Sequence, residues 1–162
     1  MVDNNPLDCY NVVIVINKEQ QMAYVSQELK AKLAPTIKAI CKKYNIKASL
    51  AVRNHSTLCL NVKQGDIDFI ENYIETDKNK SYAKYMAQDE IDYLRKSNIL
   101  DVNPYWYKEH FSGRALEFLQ EIIPAMNDGN WDKSDIQSDY FNVGWYIDVN
   151  IGRWNKPYAL VK

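Results

Sequence analysis

Apolar and polar side chains alternate almost without a break through SDYFNVGWYIDVNIGRWNKPY, residues 138–158. Phe141, Val143, Trp145, Ile147, Val149 and Ile151 fall on one side of an extended chain, and Tyr140, Asn142, Gly144, Tyr146, Asp148 and Asn150 on the other. Successive strand side chains point to opposite faces, so the spacing predicts a long strand with one face in the core. A loop near 152–156 follows, then a last strand over 158–161, with Pro157 at an edge or a strand start.

Other stretches carry different periods. Val12, Val13, Ile14, Val15 and Ile16 are a β-branched run, read as a short buried strand. Over 18–44 the apolar positions Met22, Val25, Leu29, Leu33, Ile37, Ile40, Cys41 and Tyr44 recur at three- and four-residue intervals. That is an amphipathic helix with lysines on its wet face, and Pro35 is expected to kink or split it. Ala48, Leu50 and Val52, then Leu58, Leu60 and Val62, alternate on either side of Asn54, His55 and Ser56, the pattern of a hairpin with a three-residue connection.

Asp66 is placed to cap a helix bearing Ile67, Ile70, Tyr73 and Ile74. Residues 76–90 are polar without a firm period and read as a mobile surface insertion ahead of the helical DEIDYLRKS. The aromatic-rich stretch 101–111, broken by Pro104, is expected to be a packed loop covering a sheet face or a pocket. From Ser112 a second helix carries Ala115, Leu116, Leu119, Ile122, Ile123 and Met126 as one stripe, and Asn127, Asp128, Gly129 and Asn130 end it with turn chemistry. The order β-α-β-β-α-α-β-β, with hairpins at both ends, predicts a single α+β domain over 1–162. Its sheet is expected to be mostly antiparallel, with four or five strands and helices on one face. Phe141 to Ile151 of the alternating set should then face Leu116, Leu119 and Ile123.

Composition narrows the partners. Twenty basic residues against 21 acidic leave a net charge of −1, so no global field draws in nucleic acid or anionic lipid, and no acidic excess mimics nucleic acid. Cys9, Cys41 and Cys59 are odd in number, far apart and flanked by apolar residues, as buried thiols of a reducing cytosol are. The longest apolar run, 12–16, is too short to span a membrane and follows Asp3 and Asp8 rather than a basic leader. A cytoplasmic protein without a membrane partner is expected.

Three constellations could carry chemistry. Asp132, Asp135 and Asp139 stand at i, i+3 and i+7, which on a helix gathers three carboxylates suited to magnesium, manganese or calcium. Set in NDGNWDKSDIQSD they read better as turn and cap formers, and no metal or other cofactor is expected. Asn54, His55 and Ser56 offer a histidine for acid–base work or binding, against a turn whose Asn and Ser bond their own backbone. His110, among Trp106, Tyr107 and Phe111, reads as a packed, hydrogen-bonded residue. No G-x-S-x-G, H-E-x-x-H or P-loop occurs, so no catalytic residues are assigned and the balance is against an enzyme.

The best binding candidate is Arg153, Trp154 and Lys156, together with Tyr146 and Tyr140 on the polar strand face. Aromatic rings between cations suit a protein interface, and they also stack nucleobases. The alternative is that Trp154 folds back onto the sheet.

Read together, NIKASLAVRNHSTLCLNVKQGDIDFI, DVNPYWYKEHFSGRALEFL and the closing SDYF, GWYI and IGRWNKPY resemble a family of bacteriophage, prophage and conjugative-element proteins. That family is similar to a domain associated with large polyvalent proteins, and the resemblance covers roughly residues 30–160. It brings no catalytic residues. It implies an accessory protein in a bacterial host cell that binds and inhibits a host protein or complex, such as a defence complex. A nucleic-acid-binding or metal-dependent nucleic-acid-processing protein is the rival expectation.

Overall fold

A computed structural model describes residues 22–78, 86–138 and 140–162. The expected strand at 12–16, the helix segment 18–21, Cys9 and Asp139 lie outside the described residues. The architecture is built around β2 (Thr57–Gly65), which has strand neighbours on both edges. β1 (Lys47–Arg53) pairs with it antiparallel through the predicted hairpin. Asn54 and His55 adopt φ of 51° and 57° there, two successive left-handed residues whose twist matches that of the flanking strands. On the other edge β4 (Tyr146–Ile151) runs parallel to β2, and the short β5 (Ala159–Leu160) continues the same edge against Gln64 and Gly65. β3 (Leu100–Val102) closes the order β1-β2-β4-β3 by pairing antiparallel with β4.

The class is α+β as expected, but the sheet is mixed rather than mostly antiparallel. Parallel neighbours need a crossover, and the chain between β2 and β4 supplies one. It passes through α2 (Phe69–Lys78), α3 (Gln88–Ser97), β3, α4 (Tyr107–His110) and α5 (Gly113–Met126). The stretch 101–111 is thus partly edge strand and partly helix, not a plain loop. Residues 76–78 and 88–90 of the supposed insertion are helical.

Alternation decides the layers. Leu58, Leu60 and Val62 of β2, Ile147, Val149 and Ile151 of β4 and Leu100 and Val102 of β3 join one core with α1 (Gln27–Lys43) and α5. The opposite face carries Tyr146, Asp148 and Asn150, where Asn150 donates to Asn61 Oδ1 at 3.2 Å. The predicted register therefore holds for Trp145, Ile147, Val149 and Ile151, all buried. It fails for Phe141, which is 73% exposed, and Val143 is only half-buried. Both sit before the strand, in an arm that folds back on itself through the bridges Asp132↔Val143 and Asp135↔Tyr140.

Local chemistry sets the helix ends. The Ser26 hydroxyl accepts from the Leu29 N–H at 3.0 Å and starts α1 nine residues later than expected. Pro35 does not split this helix. The carbonyl that loses its donor belongs to Ala31, which like Pro35 is exposed and open to water. Asp66 is not a cap. Asp68 Oδ1 accepts from Glu71 N at 3.1 Å, while Asp66 pairs with Arg114 at 2.9 Å and Asn45 at 3.2 Å. These partners, the Asn45 amide first, hold the Asp66 carboxyl below its usual range.

Edge-to-face rings then run through the core, Tyr44–Phe118 at 5.5 Å, Phe69–Phe118 at 5.8 Å and Phe69–Tyr158 at 5.7 Å. Each such pair contributes about 0.5–1.5 kcal/mol beyond simple burial. Trp145 ties the sheet to α5, its buried indole N–H donating to the Met126 carbonyl at 3.0 Å. Trp145→Ala is expected to cost about 3–5 kcal/mol, as large-to-small core changes do. Trp145→Phe keeps most of the ring but orphans that carbonyl, at roughly 1–3 kcal/mol. Urea melts of the two variants check the ranking, and an equal loss in both would show that packing around the larger ring contributes nothing.

Candidate functional site

The sequence grouped Tyr146 and Tyr140 with Arg153, Trp154 and Lys156, and the structure separates them. Tyr146 starts β4, beside the hairpin turn, with its N–H donating to the Ser56 carbonyl at 2.9 Å. Arg153, Trp154 and Lys156 follow the other end of the strand. Five residue steps at about 3.3 Å put roughly 17 Å between those ends. Tyr140 lies half-buried in the folded-back arm. Asn54, His55 and Ser56 thus join Tyr146, not the tryptophan tip.

The tip owes its display to Gly152. Its φ is +70°, and an added Cβ would lie 2.5 Å from the Asn98 carbonyl and 2.6 Å from Tyr158 N. The chain leaves the sheet there and turns back through reciprocal bonds between Arg153 and Lys156, at 2.9 and 2.8 Å, with Asn155 at φ 64°. Tyr158 N then donates to Asn98 O, at the end of α3, at 2.9 Å, and the chain rejoins the sheet at Ala159. Trp154, at the apex, is 80% exposed and does not fold back onto the sheet.

At the hairpin-turn end a larger aromatic surface forms. Tyr105 (77% exposed), Trp131 and Tyr146 line a cleft of about 290 Å³ floored by Val143, Trp145 and Ile147. Tyr105 and Tyr146 also border a second hollow of about 460 Å³ with Arg53, Asp101 and Asp148. Arg53 and Asp148 are ion-paired across this hollow.

One side chain holds the cleft together. The Asn130 amide acts as a false strand for Trp145, donating to its carbonyl at 2.8 Å and accepting from its N–H at 3.1 Å. The same oxygen accepts from Trp131 N at 2.9 Å. Gly144 makes room for this packing, since a Cβ there would meet Asn130 Oδ1 at 2.6 Å and the Trp131 ring at 2.8 Å. Tyr105 and Trp131 were missed as site residues. The available signal was a tryptophan alone in the polar stretch NDGNWDKSD.

No catalytic set assembles among these residues. Cys59 Sγ lies 3.9 Å from Asp148 Oδ2, but burial, then the Asp148 charge, push its thiol up, away from the reactive thiolate. Burial likewise pushes Cys41 up to about 11. His55 is exposed on the turn. His110 is packed as expected, with Nδ1 at 3.0 Å from Asp77 and its ring stacked 5.5 Å from Tyr73.

Asp132 and Asp135 share no helical face. Asp132 Oδ1 accepts from Ser134 N at 2.9 Å, and Asp135 accepts from Gln137 N at 3.0 Å and Ser138 Oγ at 2.9 Å. Among the described residues no group of three or more acidic, histidine or cysteine side chains could hold a metal ion. Compared with known proteins, the chain matches no family model, no curated protein and no solved structure.

The serine bonds hold the carboxyls of Asp132 and Asp135 below the usual carboxylate range. A depressed folded-state pKa stabilises the arm above the unfolded value, near 3.9, and the effect is lost as pH falls through the folded value. Carboxyl-detected NMR titration should place both midpoints below 3.9, with the Ser134 and Gln137 amides following them. Magnesium, manganese and calcium should change the melting temperature of wild type and Asp135→Asn alike. A midpoint above 3.9, or saturable stabilisation of wild type alone, would mean that these carboxylates crowd around a cation instead.

Proposed function

We propose that the protein is a non-enzymatic binding protein that engages a partner protein through its aromatic end. The observation that carries this reading is the cluster of Tyr105, Trp131 and Tyr146, large rings held exposed around a cleft by the Asn130 network. Exposed aromatics beside an arginine are the residues that dominate protein interfaces, and an apolar surface of this kind is kept where it is covered on binding. The resemblance to bacteriophage and mobile-element proteins supplies the setting: an accessory protein in the bacterial cytoplasm that inhibits a host component, a defence complex among them.

A nucleic-acid-binding role is the second reading, favoured by Trp154 standing exposed between Arg153 and Lys156. It places the contact at the far end of the sheet, so paired variants separate the two. Pull-down from bacterial lysate should recover a protein partner that survives nuclease. Tyr105→Ala with Tyr146→Ala should weaken its capture about tenfold or more, the effect of truncating interface aromatics. Arg153→Ala with Trp154→Ala should leave it within about twofold, as residues outside an interface do. Loss of every partner on nuclease treatment, or dependence on Trp154 alone, would establish the nucleic-acid reading in its place.

A further inference from the structure

We infer that the groove between α1 and β1 is a second binding site, which takes an acidic, extended peptide segment as an added strand. It is separate from the aromatic end and does not rest on the function proposed for it. The groove encloses about 710 Å³, enough for several side chains. Its floor is apolar, with Ile37 of α1, Leu50 of β1 and Leu60 of β2. Its charged lining is wholly basic: Lys30, Lys38, Lys42 and Lys47. None of the four has a carboxylate partner among the described residues.

The helix places these cations in a row. Lys30, Ala34, Lys38 and Lys42 follow one another at four-residue steps, so they share a face of α1. Like charges at that spacing oppose the helix they sit on, and an anion lying along the row relieves the repulsion. Among the described residues β1 pairs with β2 alone, so its outer N–H and C=O groups lack a strand partner there. Natural edges are blunted by central charges, proline or bulges. Here Ala48, Ser49, Leu50, Ala51 and Val52 form an uncharged centre in regular register, while charge is confined to Lys47 and Arg53 at the ends and the register shift against β2 lies at the Lys47 end.

Three features select the ligand. The open edge recognises backbone in extended form, the floor accepts apolar side chains at alternate positions, and the lysine row selects carboxylates between them. A nucleic acid would satisfy the cations but use neither the floor nor the edge.

Fluorescence anisotropy with the full chain and a labelled octapeptide alternating glutamate with valine tests the site. Saturable binding is expected, weakened by salt as exposed ion pairs are. Lys38→Glu with Lys42→Glu should weaken it by roughly tenfold or more. Both side chains are exposed, so the melting temperature should hold. Lys32→Glu with Lys96→Glu, also exposed and outside the groove, should change affinity by no more than about twofold. N-methylation of alternate peptide amides should abolish binding, because it removes the ladder bonds while leaving the charges.

Absence of saturable binding would overturn the inference, as would indifference to the Lys38 and Lys42 reversals or equal binding of the N-methylated peptide. An oligonucleotide that binds more tightly and displaces the peptide would assign the lysines to phosphate. A peptide copying residues 10–17 that binds where the acidic one does not would give the groove to the chain's own sequence.

Discussion

Most of this structure depends on the pairing of β2 on both of its edges. From Thr57 to Val62 every residue is buried, although the side chains alternate between faces. Leu58, Leu60 and Val62 meet the helices, while Thr57, Cys59 and Asn61 are enclosed on the far side. One edge is satisfied by a tight hairpin. The other is satisfied in parallel by β4, a strand more than eighty residues later in the chain. A parallel ladder cannot be closed by a short turn, so the helices and β3 between them form one long connection over one face.

The same pairing positions the surfaces available for recognition. Because Tyr146 pairs with Thr57, the start of β4 is held against the hairpin turn. The arm before β4 must then fold back beside it, and Asn130 and Gly144 absorb the close approach. Trp145 goes inward and Tyr146 outward by strand alternation. At the far end Gly152 ends the β4 ladder, and β5 resumes it against Gln64 and Gly65. The residues between are extruded as a two-residue turn with Trp154 at its apex.

Electrostatics divides the molecule although its net charge is near zero. Several acidic side chains are engaged by partners: Asp66 by Arg114, Glu71 by Arg95, Glu121 by Lys43, and Asp132 and Asp135 by their own turns. The basic side chains along the groove face of α1 have no such partners among the described residues. A balance of 20 against 21 thus conceals a local excess of positive charge, which composition cannot reveal.

Local patterning by itself determined the body of α1 and of α5, the hairpin with its three-residue connection and the inward face of β4. Each follows from interactions within a few residues, helical or strand periodicity or turn chemistry, whereas the packing of His110 comes from Tyr73 and Asp77 of α2, more than thirty residues away. Tertiary structure decided the rest. The mixed sheet depends on which distant strand lies beside β2, and periodicity carries no partner information. Phe141 continues the alternation by sequence but comes before the ladder to β2 begins at Tyr146, so its side chain meets water. Asp66 has the chemistry of a cap, yet Arg114, brought near only by folding, takes it. Tyr146 and Trp154, eight residues apart, are separated by the extended strand between them, whereas Tyr105 and Trp131 reach Tyr146 because a parallel crossover returns the chain to that end of the sheet.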